Sequence, residues 1–121
     1  MFEIMEGLPD DMLGVRASGQ ITDADYRNVL VPKVEALLTK YPKIRMVFVM
    51  EDSFSGYDLA AIKDDAFLGL KHWNGFTAVA VVTNVAWMHT MLGLFAPMMP
   101  CRVKLFKLAE LDAAKSWILK A

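Results

Sequence analysis

Within eight residues, Glu51–Asp58 (EDSFSGYD), the chain gathers three carboxylates, two serine hydroxyls and a glycine. That combination can serve phosphoryl transfer to a hydroxyl, binding of a hard cation, or the capping of a helix start. A phosphate on Ser55 would gain from the free amides and dipole of a helix beginning nearby. It would also meet Glu51, Asp52 and Asp58, and like charges oppose it. Carboxylates at a strand's end can hold Mg²⁺ or Ca²⁺, but their spacing here follows no calcium-loop pattern, so no metal is expected. The simplest reading is a strand-to-helix turn whose hydroxyls and carboxylates cap orphan amides. Asp52, Ser53, Ser55, Gly56 and Asp58 stand as a candidate phosphoacceptor or partner-binding loop.

The remaining reactive side chains do not form a catalytic set. His72 and His89 have no ligand-spaced partner, which leaves a zinc site without support. His72 reads instead as a helix C-terminal residue that suits the dipole. Cys101 has no base near it in sequence and is expected to be a buried structural thiol. Gly-x-Ser-x-Gly elbows, phosphate-binding loops and dinucleotide fingerprints are absent. Asp10-Asp11 and Asp64-Asp65 are adjacent pairs that local geometry points apart, and the latter two are expected only to solvate a helix's outer face. The expectation is a non-enzymatic protein without cofactor.

A second candidate surface comes from Val85–Met99, where Trp87, Met88, Met91, Leu92, Leu94, Phe95, Met98 and Met99 are interrupted by few polar residues. That arc is wider than one sheet-facing stripe requires. Part of it must be buried elsewhere, against a second subunit, a small apolar ligand or the following proline-rich loop. Methionine suits adaptable apolar surfaces, and large exposed apolar patches are uncommon on monomers. Trp87, Met91, Leu94 and Phe95 are the expected apolar groove or homodimer patch. Docking to a membrane surface is disfavoured because no cationic rim occurs within the segment.

The elements that position these groups follow from periodicity. Phe2–Leu8 and Met12–Gly19, separated by Pro9-Asp10-Asp11, read as an antiparallel hairpin with Leu13, Val15 and Ala17 on one face. Thr22 and Asp25 form a capping-box pattern ahead of an amphipathic helix, Asp23–Lys40, in which Pro32 should cause a kink or a split. Ile44–Met50 is a strand covered on both faces. Asp58 is the expected N-cap of the next helix, with Leu59, Ile62, Ala66, Leu70 and Trp73 on its inner stripe and Asn74-Gly75 closing it. Phe76–Thr83 is a buried strand, Asn84 the expected cap of a helix to about Ala96, Arg102–Lys107 a half-buried edge strand, and Ala109–Lys120 a final helix with Leu111, Ala114, Trp117 and Ile118 inward. The order β-β-α-β-α-β-α-β-α implies an α/β fold with a mixed, mainly parallel sheet flanked by helices.

A chain of 121 residues, 55% hydrophobic, suits one domain spanning residues 1–121. A formal net charge of −1 gives no footprint for nucleic acid and no polybasic anchor. The single cysteine excludes an internal disulfide and fits a reducing, cytoplasmic setting. Glu3 and Glu6 interrupt any signal-peptide core, and Thr83, Asn84, His89 and Thr90 interrupt the one long apolar run, so no integral membrane segment is expected.

The segments Gly19-Gln20-Ile21-Thr22, Asp25-Tyr26, Leu30-Val31-Pro32, Phe54-Ser55-Gly56-Tyr57, Gly69-Leu70-Lys71-His72 and Leu94-Phe95-Ala96-Pro97 occur in that order across the chain. In these the chain resembles the small bacterial SpoIIAA-like proteins, which are grouped near the STAS and CRAL-TRIO domains. The resemblance covers one complete domain. It implies a STAS-like fold and a regulatory, protein-interaction or ligand-binding role, with no settled activity. In STAS antagonists a serine in an Asp-Ser-Ser-Gly-like loop is phosphorylated by a partner kinase. Here Asp52-Ser53-Phe54-Ser55-Gly56 stands at the matching place, with Phe54 between the serines. The CRAL-TRIO side of the resemblance implies, as the alternative, a carrier or sensor of a small lipid-like ligand.

Overall fold

In the computed structural model, residues 1–58, 60, 61, 63, 65, 71 and 74–121 are described, with the side chains of Tyr57 and Phe95 outside that description. The chain opens with the expected hairpin. β1 (Phe2–Ile4) runs antiparallel to β2 (Met12–Ala17), with Phe2 opposite Ala17 and Ile4 opposite Val15. β2 then pairs in parallel with β4 (Ile44–Met50), β4 with β6 (Phe76–Val82), and β6 with β7 (Arg102–Phe106). The five-stranded sheet has the order β1-β2-β4-β6-β7, which leaves β1 and β7 as its edges. A separate pair, β3 (Gln20–Ile21) and β5 (Gly56–Tyr57), lies parallel beside it. Periodicity could not reveal it, because two-residue strands contain no period.

Alternation along the central strands divides the apolar side chains between two faces. Leu13, Val15, Ala17, Ile44, Met46, Phe48 and Met50 join Tyr26, Leu30, Val34, Ala61 and Met88 in one core. Met12, Val47, Val49, Ala78, Ala80, Val82 and Phe106 join Ala114 and Ile118 in the other. Each fully buried Val, Leu, Ile, Phe or Met side chain among these contributes about 1.5–3 kcal/mol relative to exposure. The crossovers between the parallel strands thus share the first face, and the C-terminal helix covers the second. At the N-terminal end of the first core, Phe2 packs edge-on against Tyr26 and Phe48.

The first helix is split as Pro32 demands. Thr22 and Asp25 form the expected capping box on α1 (Asp23–Asp25). The backbone then widens over Tyr26–Leu30, where the Val31 amide reaches back five residues to the Tyr26 carbonyl. α2 (Val31–Lys40) restarts with Pro32 in its first turn, where a missing N–H costs no helical bond. Ala60, Ala61, Lys63, Asp65 and Lys71 are helical, whereas Leu59, Ile62, Ala66, Leu70 and Trp73, the expected inner stripe, lie outside the described residues. Asp58 caps that helix as expected, its Oδ1 accepting from the Ala61 amide at 2.7 Å. Tyr26 donates its hydroxyl to Asp65 at 2.7 Å, and Lys71 meets Glu35 at 2.7 Å. Asp65 therefore bonds inward and does not only solvate an outer face.

α3 (Ala86–Phe95) follows β6 and continues as a 3-10 turn, Ala96–Met98. Its cap differs from expectation. Val85 holds the N-cap position, the Thr83 hydroxyl accepts from the Val85 amide, and Asn84 instead accepts from the Leu108 amide at 3.0 Å. A side chain that holds the β7–helix corner is not free to cap α3. After a short turn at Leu108–Glu110, α4 (Leu111–Lys120) buries Ala114 and Ile118 as expected, with Leu111 and Trp117 packed around them. Arg45 ties this helix to β4: its guanidinium donates to the Ile118 and Leu119 carbonyls and pairs with Asp11 at 2.8 Å. Among the described residues, no helix is long and apolar enough to cross a membrane.

Candidate functional site

The parallel strands β2 and β4 end together, and the loop 51–58 begins there. Its backbone is stitched to the segment after β2. The Gly19 amide donates to the Ser53 carbonyl, the Ser55 amide to the Gly19 carbonyl, and the Asp58 amide to the Ile21 carbonyl. Phe54 packs against the first core and so anchors the loop between its two serines. Gly56 has φ +120°, a conformation that only glycine adopts without strain. Ser53 and Ser55 are exposed, as is Asp52. The three carboxylates are not convergent in role: Glu51 pairs with Arg16 at 2.7 Å, Asp58 caps the helix, and Asp52 stands in solvent. Among the described residues no three His, Cys, Asp or Glu side chains are grouped to hold a metal ion.

The loop therefore presents two exposed serine residues on a backbone held by hydrogen bonds to the segment after β2, with Glu51 committed to Arg16 and Asp58 to the helix cap. His72 lies outside the described residues. His89 is committed locally, its Nε2 lying 2.7 Å from the carbonyl of the buried Thr83. Cys101 is only partly buried, which corrects the expected burial. Its surroundings still push the thiol above its ordinary pKa, burial outweighing a backbone hydrogen bond and the charge of Lys43. A raised thiol pKa reduces the thiolate fraction that a nucleophile would need.

α3 offers the larger surface. Met88 turns into the core while Trp87, Met91 and Leu94 remain 53%, 48% and 70% exposed, and Met98 in the following turn is 70% exposed. Steps of four and three residues place Trp87, Met91 and Leu94 on one helical face, and Met98 follows in the 3-10 turn. The Phe95 side chain lies outside the described residues. Met98 extends the patch beyond the residues that periodicity selected. From Thr83 to Cys101 the chain has no charged side chain. Gly93, also exposed, faces open space where a Cβ would stand, so the backbone is approachable beside Leu94.

The SpoIIAA-like family model matches residues 12–119. Among solved structures the chain is similar to an uncharacterised protein of the DUF3478 family with a SpoIIAA-like fold from Shewanella loihica PV-4. The identity is 27%, the TM-score 0.78, and the match covers 97% of this chain and 93% of that one. A search of curated proteins found no match.

Proposed function

The chain belongs to the SpoIIAA-like family, and from that premise we propose that it is a non-enzymatic, regulatory protein-interaction domain that pairs with a second copy through the outer face of α3. The observation that carries this reading is the exposure of Trp87, Met91 and Leu94 on one helical face, with Met98 exposed in the turn that follows. Leaving such side chains in water forgoes about 25 cal/mol for each Å² that a partner would cover. An uncharged segment is self-complementary: two copies meeting face to face across a twofold axis bring no like charges together. The loop with Ser53 and Ser55 is then the accessible place for regulation, by phosphorylation or by a second protein. The single cysteine suits a cytoplasmic setting.

Native mass spectrometry of freshly purified protein tests this reading. A dimer without adducts is the expected result. A monomer carrying an acyl or lipid mass would replace it with the family's other theme, a carrier of a small apolar ligand that covers the same face. For the loop, phosphoproteomics of the native source across growth conditions is the direct measurement, and unmodified Ser53 and Ser55 throughout would remove phosphorylation from the account.

A further inference from the structure

The open edge of the sheet at β7 is a second surface, and its chemistry differs from that of α3. Among the described residues no strand pairs with β7 on its outer side. The Phe106 carbonyl accepts from the Thr83 amide of the β6 connection, so Phe106 turns its backbone toward β6. Alternation then turns the amides and carbonyls of Val103 and Leu105 outward. The side chains alternate the other way. Phe106 packs near Trp117 on the α4 side, and Lys104 lies over the Phe106 ring at 5.3 Å, so Arg102 and Lys104 share that side. Val103 and Leu105 face the α3 side, partly buried, and among the described residues belong to neither core cluster.

The charged side chains of β7 itself have one sign, and the nearest carboxylates in sequence, Glu110 and Asp112, lie beyond its C-terminal end. No aspartate or glutamate occurs from residue 66 to residue 109, a stretch that contains α3 and all of β7. Arg102 and Lys104 are exposed, and neither pairs with a carboxylate among the described residues. A second copy is a poor occupant. The antiparallel register that overlaps the whole strand sets Lys104 against Lys104, and like charges directly opposite are destabilising. An extended segment with carboxylates at alternate positions and small apolar side chains between them satisfies every group on the edge.

We propose that β7 receives such an acidic, alternating strand from a different protein by β-strand addition, its carboxylates beside Arg102 and Lys104 and its apolar side chains beside Val103 and Leu105. This rests on the reading of the chain as a protein-interaction domain, and it is independent of whether α3 pairs two copies. Backbone hydrogen bonds to Val103 and Leu105 supply affinity, and the two cations supply the choice of strand.

The test uses the full chain and two blocked synthetic peptides, EVEVE and KVKVK, with amide hydrogen exchange followed residue by residue. In the free protein the Val103 and Leu105 amides exchange faster than the Lys104 amide, which already faces β6. EVEVE should slow Val103 and Leu105, bind about tenfold more tightly than KVKVK, and weaken as salt rises. The paired substitution Arg102→Glu and Lys104→Glu, both at exposed positions, should reverse the preference between the peptides. Equal effects of the two peptides, no change at Val103 and Leu105, or protection at the β1 edge instead would overturn the proposal. A monomeric chain that still discriminates the peptides at β7 would sink self-association through α3 and leave the edge proposal standing.

Discussion

A methyl group added to Gly14 would meet the Leu8 Cδ1 at 2.5 Å and the Met5 Cβ at 2.9 Å, because the β1–β2 connection folds directly over β2 there. Gly14→Ala is therefore expected to destabilise the domain by about 1–3 kcal/mol, read by chemical denaturation. Two aspartates have opposite leverage on pH dependence. Burial tends to raise the Asp25 carboxyl, but hydrogen bonds from the Thr22 amide and hydroxyl and the nearby Met1 ammonium outweigh it, and the net shift is downward. Asp25 thus contributes stability above the ordinary aspartate pKa that is lost as pH falls through its lowered value. Asp65 is shifted upward because its carboxyl is turned inward, against the lowering effect of the Tyr26 hydrogen bond, although the residue as a whole keeps surface in water. Its folded form holds a proton that the unfolded chain has released, so its contribution falls as pH rises from the ordinary aspartate range through the raised value. Asp65→Asn, which keeps an acceptor for Tyr26, should raise stability at neutral pH and remove that decline. Asp25→Asn should instead lower stability at neutral pH and flatten the acid limb. Denaturation midpoints across a pH series distinguish the two signs.

At the scale of elements, Arg45 joins the start of β4, the β1–β2 turn and the last turn of α4, where a cation meets the negative end of the helix dipole. Arg45→Lys keeps the charge but cannot make the forked set of bonds, and should cost about 1–3 kcal/mol, read as a lowered denaturation midpoint with faster exchange at the α4 C-terminus. The main elements were legible in the sequence because their signals are local: the alternation of Leu13, Val15 and Ala17, the Thr22–Asp25 box, the continuous apolar run of β4, and the position of Pro32. The features that escaped depend on distant partners. Asn84 reads as a helix cap until Leu108 is brought beside it, and Asp65 reads as solvent-facing until Tyr26 is. The Arg16–Glu51 pair and the β3–β5 ladder likewise join segments far apart in sequence. Composition alone points to the candidate loop, yet the division of labour among Glu51, Asp52 and Asp58 exists only in three dimensions.

For the whole molecule, both faces of the sheet are buried, and the helices on them differ in what their outer sides leave in water. α4 seals the second core with Ala114 and Ile118, whereas α3 commits Met88 to the first core and leaves a row of large apolar side chains outside. A fold that needs only one side of α3 can carry a second, independent requirement on the other, which is why Met91 can change without emptying the core. Sedimentation velocity over a range of concentrations, with a parallel thermal melt, compares the native chain with Met91→Lys. The native chain is expected to form a dimer, the substitution to yield monomers, and the melting temperature of the variant to fall by no more than the loss of dimer linkage. A native chain that is monomeric at every concentration, or a Met91→Lys variant that stays dimeric, would contradict pairing through α3.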